Sequence, residues 1–178
     1  MKHEILIIGR GGQGVLLLGR ILGTALTKYG GYYVSLTESY GAETRGTESR
    51  SDIIISDRQD EVDYVKVRKA TVFLVLYPLN IDNYLKYISE DTVLMLNSTY
   101  INDIPGVKVR EKYTAPYSEI AERETGTVRT TNMVALGHLV KVTKLIDPVH
   151  VEKTIMEMFT EKWIDINIKA FRAGLNID

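Results

Sequence analysis

The chain has 178 residues, of which 44% are hydrophobic and 25% charged, and its 22 basic and 23 acidic side chains leave a net charge of -1. This balance is typical of one globular domain, which we expect to span residues 1–178, and it excludes a disordered or fibrous chain and a global basic field for nucleic acid or anionic membranes. The absence of cysteine excludes a cysteine-ligated iron–sulfur cluster, a thiolate zinc site, a cysteine nucleophile and a thiol redox couple within this chain.

Apolar runs in the sequence are short. The first twelve residues, MKHEILIIGRGG, contain an apolar run too short for a signal peptide, and no later segment has about 18 uninterrupted apolar residues. We therefore expect a cytoplasmic protein.

The first two-thirds of the chain predict strands interleaved with helices. Ile5–Ile8 has the continuous apolar character of a strand covered on both faces, and Val15–Tyr29 has a broad apolar stripe at helical spacing. Further strands are predicted at Tyr32–Thr37, Asp52–Ser56, Thr71–Tyr77 and Thr92–Leu96, a short edge strand at Val107–Val109, and a helix at Leu79–Ile88.

The last third is mostly helical. Helices are predicted at Pro116–Glu124, Asn132–Lys144, Pro148–Phe159 and Trp163–Gly174. Together these patterns predict an α/β fold: a three-layer α/β/α domain with a Rossmann-like, mainly parallel sheet and a helical C-terminal third.

A glycine cluster, Gly9-Arg10-Gly11-Gly12-Gln13-Gly14, has the spacing G-x-G-x-x-G between a predicted strand and a predicted helix. Glycines permit a tight turn and a close approach of backbone N–H groups to a phosphate or carboxylate, and the following helix N-terminus favours an anion. Alternatively, the glycines only permit close packing of strand on helix. Both interpretations remain open at this point.

Glu38 follows the second predicted strand, where an NAD-binding fold places the acidic residue that holds the ribose. The polar segment 39–50 follows it directly and would crowd the adenosine side of a dinucleotide. NAD binding is therefore the less favoured alternative.

The segment 39–50 carries a second candidate for anion binding. Arg45 is followed by Gly46, and its planar fork of donors suits a phosphate or carboxylate. The alternative is a surface loop whose arginines pair with Glu43 and Glu48.

Four blocks of the sequence resemble the gamma subunit of 2-oxoacid:ferredoxin oxidoreductases, in the family's order and over essentially the whole chain. The blocks are Gly9–Val15, Ser39–Gly46, Asn132–Gly137 and Asn167–Phe171. The second block is more similar to the 2-oxoglutarate or branched-chain members than to the pyruvate or indolepyruvate members. One departure is Thr47, where the family usually has glycine, so we expect a differently shaped or more restricted loop there.

The resemblance implies an oxidoreductase that decarboxylates a 2-oxoacid on thiamine diphosphate, passes electrons through iron–sulfur clusters to ferredoxin and releases an acyl-CoA. This chain has no cysteine and no Gly-Asp-Gly followed by Asn of the kind that holds magnesium and thiamine diphosphate. We therefore expect the clusters, thiamine diphosphate and magnesium in the alpha, beta and delta (ferredoxin-like) partner subunits. The isolated chain would be inactive and could form a homodimer.

The resemblance also associates this chain with coenzyme A. We hypothesise that Gly11, Gly12, Gly14, Arg45 and Asn132 line a pocket for the phosphates or pantetheine arm of CoA. The same binding segments also include Gly9, Gln13 and Gly46.

Several alternatives stay open beside this hypothesis. Asn132, together with Thr130 and Thr131, could instead cap a helix. The whole chain could be a freestanding nucleotide- or NAD-binding oxidoreductase that uses Glu38, or a structural assembly module whose glycine loop binds nothing. The sequence assigns no catalytic residue to this chain.

The three histidines, His3, His138 and His150, show no spacing typical of metal ligands, so no metal site is expected. His138 lies in an apolar helical pattern and is interpreted as a packed or interface residue rather than a base. Its neighbour Gly137 predicts the close approach of another element.

Overall fold

A computed structural model describes residues 1–41 and 47–178. The strands are β1 (Lys2–Arg10), β2 (Tyr33–Tyr40), β3 (Glu48–Ser56), β4 (Val72–Val75), β5 (Val93–Asn97) and β6 (Glu111–Ala115). The helices are α1 (Val15–Lys28), α2 (Tyr117–Thr125), α3 (Thr131–Thr143), α4 (Pro148–Met158) and α5 (Glu161–Leu175), with 3-10 turns at Gln59–Glu61, Ile81–Tyr87 and Val128–Thr130. Within the described ranges, no helix is long and apolar enough to cross a membrane.

The strands form one mixed sheet in the order β2, β3, β1, β4, β5, β6. β1, β4, β5 and β6 pair in parallel, whereas β3 is antiparallel to both β1 and β2. Every strand except β3 therefore runs in one direction. The α/β class is confirmed, and the helices predicted in the last third are present.

The antiparallel β3 contains the predicted strand Asp52–Ser56 but begins four residues earlier, at Glu48, within the predicted loop. β2 continues to Tyr40 and β3 begins at Glu48, so that Tyr40 pairs with Ser49 and Arg10 pairs with Glu48. The ends of these two strands carry polar side chains, so their sequence lacks the apolar alternation of a strand. The strand ends are paired by backbone hydrogen bonds rather than by an apolar face. The predicted loop 39–50 is correspondingly shorter.

The two faces of the sheet are covered differently. Ile5 and Ile7 face a core to which all five α-helices contribute, whereas Leu6 and Ile8 face a second core beneath the 3-10 turn Ile81–Tyr87. The prediction of an α-helix at Leu79–Ile88 is therefore wrong. This connection buries Tyr84 but is too short and too tightly wound to form an α-helical layer.

The edge strand beside β5 is β6, and the predicted strand at Val107–Val109 is wrong. Val107 and Val109 pack against the second core instead of pairing with the sheet. Their apolar character reflects this packing. The true edge strand has mostly exposed polar side chains and so lacks the alternation by which strands are recognised.

Two glycines bring α3 and α5 into backbone contact, as the sequence predicts for Gly137. A Cβ at Gly137 would lie 2.0 Å from the Phe171 carbonyl oxygen, and a Cβ at Gly174 would lie 2.0 Å from the Val134 carbonyl oxygen. Neither position can accept a side chain without separating the helices.

His138 is packed in the core, as expected, with 2% of its surface exposed. Its Nδ1 lies 2.8 Å from the hydroxyl of buried Tyr117, and Tyr113 contacts its ring edge-on at a centroid distance of 5.7 Å. Burial, assisted by the positive charge of Lys141, lowers the pKa of His138 to about 4. The imidazole is therefore neutral at physiological pH.

Replacement of Gly137 by alanine is expected to lower the free energy of unfolding by about 3 kcal/mol, because the added methyl group overlaps the backbone of α5. Denaturant unfolding of the purified chain measures this change. Gly23→Ala in α1 is the matched control, since its Cβ would meet only the Val34 side chain at 3.6 Å. Equal stability of the two variants would contradict the close contact of α3 and α5.

The pKa of His138 predicts a pH dependence of stability. The pKa is about 4 in the folded chain and 6.5 in the reference state, so between these values the unfolded chain binds more protons. His138 should therefore make the free energy of unfolding fall as pH falls from 6.5 to 4, by at most about 1.4 kcal/mol per pH unit. Unfolding of the wild type and His138→Gln across this range isolates the contribution. Parallel pH profiles would count against it.

Candidate functional site

The candidate site lies at the carboxyl edge of the parallel strands, where open α/β sheets bind ligands. β1 ends at Arg10 and is followed by the glycine loop, and β5 ends at Asn97. A cavity of about 180 Å³ opens there. Its lining includes Arg10, Gly11, Gly12, Gln13, Tyr100 and Arg129.

The glycine loop is held by its own hydrogen bonds. Gln13 accepts the Arg10 N–H at its Oε1 (2.9 Å) and donates its backbone N–H to the Arg10 carbonyl (3.2 Å). The Gly11 N–H donates to the Thr47 carbonyl at 2.6 Å. Within the described part of the chain, the N–H groups of Gly12 and Gly14 have no acceptor. Of the two, Gly12 lines the cavity, so its N–H remains available to an anion there.

The glycines of the loop do two different things. Gly12 and Gly14 have φ of +93° and +73°, a conformation that favours glycine. A Cβ at Gly9 would lie 2.7 Å from Val15 Cγ2, and a Cβ at Gly14 would lie 2.2 Å from Asn132 Nδ2. Gly9 and Gly14 therefore serve close packing, whereas Gly11, Gly12 and Gln13 line the cavity.

Asn132 joins α3 to the glycine loop. Its side chain is buried, with Nδ2 donating to the Gly14 carbonyl at 3.2 Å and Oδ1 accepting the Met133 N–H at 3.0 Å. α3 begins at Thr131 after Thr130, whose hydroxyl makes no capping hydrogen bond. Asn132 is therefore not at the N-cap position, although its Oδ1 accepts one N–H of the first turn; its Nδ2 joins the helix start to the loop.

Arg10 lies against two aromatic rings. Its guanidinium carbon is 4.5 Å from the Tyr77 ring centroid and 5.6 Å from that of Tyr100. Neither Arg10 nor Arg129 has a carboxylate partner among residues 1–41 and 47–178. Two guanidinium groups thus border the same small cavity with their charge uncompensated by these residues.

A second, larger cavity of about 470 Å³ adjoins the first, because Arg129 lines both. Its apolar wall contains Leu17, Phe159, Trp163 and Ile166. Trp163 is 46% exposed, and the Lys162 ammonium lies 5.0 Å from its ring centroid. Asn132 lines this larger cavity rather than the smaller one.

Arg10, Arg129 and Trp163 were not predicted as site residues. Arg10 stands inside the glycine motif, whereas Arg129 lies just before Thr130, outside the segments that the sequence singles out. Trp163 had no such signal, since only the fold brings the start of α5 beside α3.

The second predicted loop is anchored where β3 begins. Glu48 accepts hydrogen bonds from Asn80 (2.8 Å) and from the Tyr84 hydroxyl, rather than pairing with an arginine of the described segments. Arg50 makes two 2.6 Å hydrogen bonds to buried Asp52. Although burial opposes the charge, these bonds raise the pKa of Arg50.

Arg45 and Gly46 lie outside the described residues, as does the Glu43 of the alternative pairing. The adjoining Thr47 is described. A Cβ at Gly41 would lie 2.8 Å from the Thr47 Cβ, so the glycine at 41 makes room for the threonine.

Glu38 is not placed to hold a ribose. It lies within β2, where Arg20 donates two 2.6 Å hydrogen bonds to its carboxylate. β3 separates β2 from β1, a distance of about 10 Å at normal strand spacing. The geometry therefore does not support the NAD interpretation.

Comparison with known proteins identifies the family of the sequence. The family model for pyruvate ferredoxin/flavodoxin oxidoreductase matches residues 4–177. The 2-oxoglutarate synthase subunit KorC of Methanothermobacter marburgensis is 33% identical over 98% of this chain and 95% of its own length. KorC of Archaeoglobus fulgidus is 35% identical over 98% of this chain and 87% of its own length.

Solved structures show the same fold. The gamma subunit of a keto/oxoacid ferredoxin oxidoreductase from Geobacter sulfurreducens superposes with a TM-score of 0.82 at 30% identity, covering 97% of this chain and 95% of that one. The 2-oxoglutarate:ferredoxin oxidoreductase of Magnetococcus marinus, with 2-oxoglutarate, coenzyme A and succinyl-CoA bound, gives 0.84 at 20% identity over 98% of this chain and 30% of that one. The second likeness establishes the fold alone.

The family match and these relatives extend along nearly the whole sequence. The homologues of this chain are subunits of 2-oxoacid:ferredoxin oxidoreductases. The chain belongs to the pyruvate ferredoxin/flavodoxin oxidoreductase family.

Proposed function

We propose that this chain is the gamma subunit of a 2-oxoglutarate:ferredoxin oxidoreductase, which converts 2-oxoglutarate and CoA to succinyl-CoA. The observation that carries the proposal is the near full-length similarity, at 31% to 35% identity, to four proteins named as 2-oxoglutarate synthase subunits. Relatives named for indolepyruvate are 28% and 29% identical, and those named for ketoisovalerate and pyruvate are 31% and 30% identical. The resemblance noted in the Ser39–Gly46 block favours a 2-oxoglutarate or branched-chain member over a pyruvate or indolepyruvate member.

In this proposal the redox chemistry belongs to the alpha, beta and delta subunits. Thiamine diphosphate with magnesium supplies the decarboxylation, and iron–sulfur clusters carry electrons to ferredoxin; a chain without cysteine offers no thiolates for such clusters. This chain's own contribution is to bind and orient CoA, which accepts the acyl group.

The small cavity supports a role in CoA binding. The guanidinium groups of Arg10 and Arg129 and the N–H groups of the glycine loop suit phosphate oxygens, and no described carboxylate neutralises them. In this assignment Gly11, Gly12 and Gln13 contact the ligand. Gly9, Gly14 and Asn132 hold the loop in position.

Arg45 and Gly46 complete the proposed site. Arg45 is two residues before Thr47, whose carbonyl accepts the Gly11 N–H beside the cavity. The planar, rigid fork of an arginine suits a phosphate of CoA.

Omission of this chain from a co-expressed complex is expected to abolish ferredoxin-dependent oxidation of 2-oxoglutarate in the presence of CoA. The measurement is reduction of ferredoxin by complexes purified with and without this subunit, with pyruvate and a branched-chain 2-oxoacid as comparison substrates. Full activity without the chain, or NAD-dependent oxidation by the chain alone, would contradict the proposal. A preference for pyruvate would contradict the substrate assignment.

Arg45→Ala is expected to raise the KM for CoA about tenfold, because one charge-assisted hydrogen bond to the ligand is lost. The kcat at saturating CoA and the assembly of the complex should stay unchanged. Steady-state kinetics of the complex give both constants, and size-exclusion chromatography checks assembly. Arg58→Ala, which removes an exposed guanidinium paired with Asp60, is the matched control. An unchanged KM for CoA in an intact complex would favour a purely structural role for this loop.

A further inference from the structure

In the described part of the chain, the sheet has two free edges that differ in length and charge. β6 is five residues long, and its exposed Glu111 and Lys112 carry charges. β2 has eight residues, none of them lysine, arginine or proline, and its one charged side chain is Glu38. Proteins commonly protect a free edge by keeping the strand short or by placing charges or proline on it. β6 is protected in this way, whereas β2 is long and nearly neutral.

The register of β2 with β3 assigns the backbone groups on the outer side of β2. The Gly41 N–H donates to the Glu48 carbonyl at 3.1 Å, and the pairing continues without a bulge to Tyr33 and Ser56. Along an antiparallel pair, residues that bond to the partner strand alternate with residues that do not. The residues whose N–H and C=O groups point outward are therefore Val34, Leu36, Glu38 and Tyr40. None of these four N–H groups has an acceptor among residues 1–41 and 47–178.

The side chains of β2 leave this edge open to another strand. Val34 and Leu36 face α1 and line with it a groove of about 340 Å³. Glu38 is on the same face, where Arg20 donates two 2.6 Å hydrogen bonds to its carboxylate. The only charge of the strand is therefore offset within the chain, and it does not repel an approaching strand.

The charges along the edge are complementary to those of a second copy in antiparallel orientation. Glu38 lies near one end of β2, whereas Lys28, the last residue of α1, lines the groove beside Val34 near the other end. Lys28 also binds Glu157, and α1 itself has no acidic residue. A two-fold axis near the middle of β2 brings Glu38 of each copy toward the Lys28 end of the other. No like charges then face each other across the strands.

Exposed tyrosines stand at both ends of the strand. Tyr33 is 46% exposed and Tyr40 is 73% exposed. Tyrosine is enriched at protein interfaces, because its ring is apolar and its hydroxyl can still bond to water. An added antiparallel strand covers part of both rings.

We propose that β2 pairs antiparallel with β2 of a second copy of this chain, so that the two six-stranded sheets form one continuous sheet. Two identical antiparallel strands are self-complementary, because each outward N–H meets an outward C=O of the other copy. The outward groups are those of even-numbered residues, so the axes that give the fullest overlap lie at Leu36 and at Thr37. The inference is independent of the proposed CoA function, since β3 lies between this edge and the strand that leads into the glycine loop.

The chain has no cysteine, so a single introduced cysteine reports on one position. Thr37→Cys places a thiol beside the proposed axis, where the two Cβ atoms at this position are about 5 to 8 Å apart in either register. A short bismaleimide should therefore link the purified full-length variant into a covalent dimer on a denaturing gel. Lys112→Cys, on the exposed part of the other edge, is the matched control and should remain monomeric.

Sedimentation velocity of the full chain over a range of concentrations should show a reversible dimer. Thr37→Lys brings two ammonium groups together beside the axis and should weaken self-association at least tenfold, with partial recovery at high salt. Lys112→Glu changes the charge of the other edge and should leave self-association unchanged. Circular dichroism checks that the variants stay folded.

A chain that stays monomeric at every concentration, or a dimer that is insensitive to Thr37→Lys and is not linked in the Thr37→Cys variant, would overturn the proposal. A third result would also overturn it: if the chain is monomeric alone but Thr37→Lys prevents assembly with co-expressed partner subunits, the edge takes a strand from a partner instead. None of these results changes the expected dependence of CoA kinetics on Arg45, so the inference and the proposed function can fail separately.

Discussion

The contact between Asn132 and Gly14 determines how the site is built. Gly14 has a positive φ and no Cβ, so the Asn132 amide can lie against its backbone and donate to its carbonyl. This contact fixes the start of α3 beside the start of α1. Arg129, just before α3, is thereby held beside the glycine loop and faces both cavities. A side chain at position 14 would separate these parts and disperse the groups that suit an anion.

Most of the fold could be predicted from the sequence, because buried strands and amphipathic helices have strong apolar periodicity. The exceptions have physical causes. The start of β3 is polar and is recognisable only by its backbone pairing with β1, and β6 is an edge strand with exposed side chains. The segment Ile81–Tyr87 has apolar residues at helical spacing, but it must close a short connection over the second core and winds into a 3-10 turn.

The site was predicted less completely than the fold. The glycine loop has a local spacing that can be recognised in the sequence. That Arg10 and Arg129 border one cavity follows only from the fold, which brings the carboxyl edge of the sheet beside the start of α3. Glu38 shows the opposite case: its position in the sequence suits a ribose ligand, but the inserted β3 and the ion pair with Arg20 remove that role. The role of a charged residue could therefore be assigned only once the sheet topology was known.

A chain without cysteine belongs to a family named for ferredoxin-dependent redox chemistry. In the proposed division of labour, this chain offers a positively charged cleft and partner subunits carry the redox centres. The most direct test is an NMR titration of the isotope-labelled full chain with CoA, which follows each backbone amide. The expected shifts are concentrated at Gly11, Gly12, Gln13 and Arg129. Saturable binding with shifts confined to other surfaces, or no shifts in a chain shown to be folded, would contradict this proposal.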